Sequence, residues 1–228
     1  MLGDSLSYPL NSDDRIATIL IGGLLSVLGV LVIPAFVIQG YLVRVLRGAA
    51  KGEPAAPSFT DWGDLIVDGI KLFVVNLAYG LLIAIPMAVF SFALFVPVSV
   101  SSNGGSPQPS AAVGIVAVVG GLLLLVFALL VAYVLPAAMT NFAVEDSLGA
   151  AFDFSTIWSG ATTSEYFVGW VLAIVVGVVG GLVGSALSVV LVGIFVLFYV
   201  QVVSYYLFGR GFTEGLSEKR RAAAETNV

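Results

Sequence analysis

The chain of 228 residues has no cysteine and no histidine. The first absence excludes disulfides and thiolate metal sites. The second excludes imidazole catalysis, so neither a Ser-His nor a Cys-His arrangement can be assembled. Charge is nearly as scarce, at 10% of residues, where a soluble domain carries about 25%. None of it falls in the blocks Ile16–Val43, Leu72–Val100, Ala111–Val144 and Phe167–Phe208. Period-two alternation is missing too, which argues against the short alternating strands of a membrane barrel. The glycine run "GGLVGS" (Gly180–Ser185) lies within an apolar block and lacks the lysine a phosphate loop needs.

What is there is hydrocarbon: 59% of residues are hydrophobic, gathered in unbroken runs rather than stripes. A spanning helix needs about 20 such residues in succession. The fold class expected is therefore all-α, a polytopic helical membrane bundle. Phe167–Phe208 is long enough for two crossings with a turn near "GSALSVV" (Gly184–Val190). Leu72–Val100 and Ala111–Val144 cross once each, joined by the loop-forming "SSNGGSPQPS". Ile16–Val43 either crosses once or folds at "VIPA" (Val32–Ala35) into a hairpin that dips in and returns. The hairpin is favoured, giving four full crossings plus that N-terminal unit.

Sidedness follows from the basic residues. Arg44, Arg47, Lys51 and Lys71 flank the first long loop, and Arg210, Lys219, Arg220 and Arg221 follow the last apolar run. The positive-inside rule places these flanks and the C-terminus in the cytoplasm of a cell-membrane protein. With the hairpin, all 14 acidic and nine basic residues fall on that side. The acidic start "MLGDSLSYPLNSDDR" is unlike a cleaved leader. One membrane domain over 1–213 and a short tail over 214–228 are expected.

Candidate site residues are few. Asp61, Asp64, Asp68 and Lys71 share one face of a helix starting near residue 59, with Trp62, Leu65, Ile66, Gly69 and Ile70 on the other. That describes an interfacial amphipathic helix whose carboxylates form its wet face. The alternatives are a weak metal or headgroup site, or docking of a basic partner. In the second charged loop, Trp158 and Tyr166 are expected as interface anchors. Within the apolar blocks the polar side chains are amides, Gln39, Asn76, Asn141 and Gln201. They either bond between helices or line a shared polar path. Pro34 precedes Gln39, and Pro136 precedes Asn141, by five residues each; Phe36 and Gln39 match Phe198 and Gln201 in spacing. This faint threefold echo suits three helical hairpins side by side. Gly177 and Gly181 form one small-residue stripe and Gly180 and Gly184 another, a pattern that lets helices approach closely.

The segments "SYPLNSDDR", "GYLVRVLRGAAKGE", "FTDWGDLIVDGIK", "LPAAMTNFA", "GAAFDF" and "FYVQVVSYYLFGRGF" together resemble an uncharacterised family of multi-pass membrane proteins. That family, a domain of unknown function, is frequent in halophilic archaea and also found in bacteria. The resemblance covers about residues 2–213 and implies a cell-membrane location and a halophile source, in keeping with a pI near 4.5. It implies no reaction. The functional expectation is an integral membrane protein without catalysis, cofactor or nucleic-acid partner, acting through helix packing. Its partners are the lipid bilayer and either a membrane protein or a second copy. The rivals are a small permease or channel-like subunit using the four amides, and a metal-dependent lipid-headgroup enzyme using the three aspartates.

Overall fold

The computed structural model describes residues 1–100, 111–188 and 191–226. Among them are eight α-helices: α1 (Leu2–Ser7), α2 (Arg15–Val27), α3 (Val32–Lys51), α4 (Trp62–Val100), α5 (Ala111–Glu145), α6 (Phe154–Ala161), α7 (Ser164–Leu187) and α8 (Val192–Thr226). Short 3-10 turns cover Tyr8–Leu10, Leu28–Val30 and Leu148–Phe152. Five helices, α3, α4, α5, α7 and α8, have the length and apolar composition to cross a membrane. The all-α class is as expected. The chain divides into two compact units, one of residues 1–75 with 136–228 and one of Asn76–Leu135. The expected linker at 101–110, and positions 189–190 of the expected α7–α8 turn, lie outside the described residues.

The N-terminal block folds back on itself. Its break is the 3-10 turn Leu28–Val30 and the extended Leu31, one step earlier than "VIPA". Val32–Ala35 instead opens α3, with Pro34 in its first turn. A proline there has no N–H to leave unbonded, which suits a helix start better than a turn. The two arms are antiparallel, because their ends are tied together. Ala56 N–H donates to the Tyr8 carbonyl (3.0 Å), Asn11 Nδ2 to the Pro54 carbonyl (2.9 Å) and Ser58 Oγ to the Asp14 carboxylate (2.9 Å). At the tip, Val30 is 94% exposed and Leu31, Val32 and Ile33 are also exposed. At its far end α3 stops at Gly52, whose φ of 75° closes the helix in the left-handed conformation that glycine adopts without strain.

Within the larger unit, α8 touches α1, α2, α3, α6 and α7. Gly22 and Gly23 of α2 lie under Phe198 and Phe195, and Gly209 lies over the Leu46 carbonyl of α3. Tyr41 stacks on Phe59 with ring centroids 4.2 Å apart, and Tyr8 leans on Tyr206 at 4.4 Å. Val37, Val45, Leu65, Phe198 and Val202 complete this core. The tightest approach joins α3 to the start of α4. A Cβ at Gly40 would stand 1.8 Å from the Leu65 carbonyl oxygen, and one at Gly69 would stand 1.9 Å from that of Phe36. Neither glycine could carry a side chain without parting the helices.

The small-residue stripes of α7 divide in the same way. Gly180 lies against Val200 and Gly184 against Leu197 and the Gly193 carbonyl, so this stripe meets α8. Gly177 and Gly181 have nothing within 4 Å of where a Cβ would stand. The further contacts of α7 with α8, Gly169 on the Leu207 carbonyl and Gly211 on the Glu165 carbonyl, are not apparent from spacing within one helix.

Gly40→Ala is expected to cost several kcal/mol, since overpacking a tight contact costs about 1–3 kcal/mol and here the obstacle is backbone. Gly181→Ala should leave stability unchanged or raise it by up to about 1 kcal/mol through helix propensity. Thermal unfolding in detergent compares the two. Equal melting temperatures would show that the α3–α4 approach adapts to a methyl group.

Candidate functional site

The segment Asp61–Lys71 is not a helix apart. From Trp62 on it forms the first turns of α4, which continues through 39 residues, about 58 Å at 1.5 Å each. Its aspartates have three different fates. Asp61 precedes the helix with φ of 49°, a left-handed conformation that aspartate tolerates better than most residues. The Asp61 carbonyl accepts from Arg44 Nη2 (3.2 Å), and the Thr60 carbonyl accepts from Arg44 Nη1 (2.7 Å). Asp64 is exposed. Asp68 corrects the wet-face expectation, because it is 8% exposed and turned toward cations.

Those cations come from two helices. Arg47 of α3 places Nη1 3.4 Å from Asp68 Oδ2 and Nη2 3.5 Å from Asp146 Oδ1, and its Nε donates to the Ala143 carbonyl (2.9 Å). Lys71 Nζ stands 3.1 Å from Asp146 Oδ1 and 3.7 Å from Asp68 Oδ1. Two cations and two anions thus join α3, α4 and the end of α5. Asp146 follows the last residue of α5 with φ of 48°, where glycine is the usual choice. Its carboxylate serves both cations, a role glycine could not fill. Arg44, Arg47, Lys71, Asp64, Asp68 and Asp146 also line an open hollow of about 310 Å³. Its formal charges balance. Among the described residues no three carboxylates gather as a metal cage would require.

The four amides serve different purposes. Asn141 is 4% exposed, and its Nδ2 donates to the Ala150 carbonyl (2.9 Å). It therefore pins the second charged loop to α5. Gln39 is half-buried, and its Oε1 is buried without a protein partner. Asn76 is half-buried and belongs to the smaller unit, whereas Gln201 is exposed on α8. Helical periodicity did not separate these cases, because the apolar blocks carry no polar face to mark which side is inward.

In the second charged loop, Asp153 starts α6, accepting from Thr156 N–H (3.2 Å) and from the Thr156 hydroxyl (2.6 Å). These bonds hold its carboxyl below the usual aspartate range. Thr163 caps α7 by accepting from Tyr166 N–H (3.4 Å). Trp158 is exposed, as an interface anchor would be. Tyr166 is not: it is fully buried, edge-on to Phe212. Its position at the helix start is the same as an anchor's, and only the neighbouring α8 makes it core.

Asp68→Asn should lower stability by about 2 kcal/mol, between the ~0–1 kcal/mol of exposed ion pairs and the ~3–5 kcal/mol of broken buried ones. Asp64→Asn should change it by less than about 0.5 kcal/mol. Denaturation in detergent at fixed ionic strength measures both, and matching values would reduce Asp68 to a surface charge.

No curated protein and no solved structure matches the chain. A family model does, over residues 27–189, from the end of α2 to just past α7. That stretch contains the Gly40–Gly69 contact, Arg47, Asp68, Lys71, Asp146 and three of the four amides, while α8 lies beyond it. With well over half its length matched, the chain belongs to the DUF4013 family, a protein family of unknown function.

Proposed function

We propose that the protein is a non-catalytic component of the cell membrane that acts through its exposed apolar helices on lipid or a protein partner. The observation that carries this reading is the uncovered state of α5. Only 6% of its most apolar stretch is buried by the chain's own fold. Leu122, Leu123, Leu125 and Val126 are all exposed and cover nearly half of the helix's circumference, and the opposite side, with the half-buried Leu124 and Ala128, is apolar too. A helix apolar on every side belongs in hydrocarbon or against another protein. On the facing side, Met87 and Phe90 of α4 with Leu124 and Ala128 of α5 line an apolar hollow of about 420 Å³. The amides lend less support to a solute path, since Asn141 is committed to a loop carbonyl and Gln201 is exposed.

In this reading the charged end of the larger unit faces the cytoplasm. The bonds of Asn11, Ser58, Arg47, Lys71 and Lys219 all lie at that end, and the α2–α3 hairpin enters the bilayer from it without crossing. The apolar part of α3 before Arg44 is about 18 Å long, short of the roughly 30 Å of a bilayer core.

Two measurements test this. With no native cysteine, Asp13→Cys, Asn103→Cys and Ser217→Cys can each be labelled from outside intact cells, and labelling is expected at Asn103→Cys alone. External labelling at Asp13→Cys would make the first block a full crossing. A photo-crosslinking residue at Leu123 should yield lipid or protein adducts, while liposomes holding the protein should pass glycerol and potassium no faster than empty ones. Solute flux abolished by Gln39→Leu would overturn the reading in favour of a permease.

A further inference from the structure

The polar hollow beside α6 is a separate matter from the apolar face of α5. Two hollows, of about 490 Å³ and 300 Å³, share Asn141, Glu145 and Arg220 in their walls. The larger adds Ser147 and Asp153, and the smaller adds Val144, Phe212 and Leu216. One is therefore polar, and the other carries an apolar wall.

The charges around this space are not neutralised by one another. Glu145 and Arg220 line both hollows, yet they form no ion pair within 4.0 Å, with each other or with another described residue. Asp153 is kept ionised by its bonds to Thr156. Asn141 is a second and independent sign. It is buried, its Nδ2 is spent on Ala150, and its Oδ1 accepts no bond from a described residue although the side chain lines both hollows. That oxygen is not among the buried atoms without a partner, so it opens onto the hollow as an acceptor free to meet a donor from outside the chain.

We propose that this space binds an amphiphile whose headgroup joins a primary ammonium to a phosphate. The ammonium has three hydrogens to donate, and Glu145, Asp153 and the Asn141 Oδ1 are three acceptors in the same wall. The phosphate takes Arg220, which is suited to bidentate bonding of phosphate oxygens, with the Ser147 hydroxyl at hand. Val144, Phe212 and Leu216 then meet the glycerol and first methylenes. Leu148, Phe152, Phe154 and Trp158 are exposed on the same stretch of chain that supplies Gly149, Asp153 and Thr156 to the larger hollow, apolar and aromatic groups of the kind that sit at headgroup depth. The opposed charges exclude a purely anionic headgroup, which Glu145 and Asp153 would repel, and favour a hydrogen-donating ammonium over a quaternary one.

The test uses the full chain in detergent, titrated with dihexanoyl phosphatidylethanolamine, its phosphatidylcholine and phosphatidylglycerol counterparts, and soluble phosphoethanolamine. Melting temperature and calorimetry are the readouts. The ethanolamine lipid should raise the melting temperature, and the choline and glycerol lipids should not. Arg220→Gln and Glu145→Gln should each weaken its binding by about tenfold, the value of one charge-assisted bond. Their ligand-free melting temperatures should be unchanged, because both side chains are exposed and unpaired. Arg220→Lys should recover part of the affinity. Soluble phosphoethanolamine binding as tightly as the lipid would keep the site and make its ligand a free metabolite. An equal response to all three lipids, no response to any, or unaltered binding by both variants would overturn the proposal.

Discussion

Where Gly40 meets the Leu65 carbonyl and Gly69 meets that of Phe36, two helix backbones touch with no side chain between them. In hydrocarbon there is little hydrophobic drive to press helices together, so close van der Waals contact between backbones takes its place. Much of the larger unit follows from this contact. It brings α4 against α3 near the charged end, so that Asp68 and Lys71 come within reach of Arg47. It also sets Leu65 beneath Tyr41 and Phe59, in the core that α8 closes with Phe198 and Val202. Gly209 on Leu46, and Gly169 and Gly211 between α7 and α8, repeat the device around α8.

The charged cluster acts where this packing ends. Arg47, Lys71, Asp68 and Asp146 balance in charge, so the cluster is a fastening rather than a field that attracts ions of one sign. Its geometry has a backbone cost. Asp146 holds a left-handed conformation that costs a non-glycine residue of order 1 kcal/mol, offset by the two cations its carboxylate meets. Asp61 does the same at the start of α4, and there the loop carbonyls, not the side chain, are what Arg44 holds. Arginines that flank the apolar runs in sequence are thus also the donors that shape the loops there.

The two units differ in how they satisfy their surfaces. The larger buries aromatic rings and glycine contacts and carries nearly all its polar bonds at one end. The smaller, built of the later part of α4 and the earlier part of α5, exposes leucine, valine and phenylalanine along both helices, and only the side each turns to the other is half-buried. Pro136 lies within α5 at the boundary between them, and the Thr140 hydroxyl donates back to the Pro136 carbonyl (2.8 Å). A partner or lipid surface on one unit and a polar hollow on the other are compatible, because they draw on different residues.

Much of this was legible in the residues themselves. Unbroken apolar blocks free of charge determine helices and their lengths, since only a helix satisfies its own backbone in hydrocarbon. The fold-back before α3 was legible too, displaced by a few residues because proline opens a helix as readily as it ends one. What the order of residues leaves open is which side of each helix faces protein. Nothing in composition separates Gly180 from Gly181, Asn141 from Gln201, or Tyr166 from Trp158, because lipid and protein interior are equally apolar and leave the same pattern. Asp68 was read as wetted from the face it shares with Asp64, and only the approach of α3 made it the partner of Arg47. Contacts between residues far apart in sequence, such as Gly40 with Leu65 or Gly209 with Leu46, depend on the register of two helices. That register is set by the sum of many packing contacts and by no local signal.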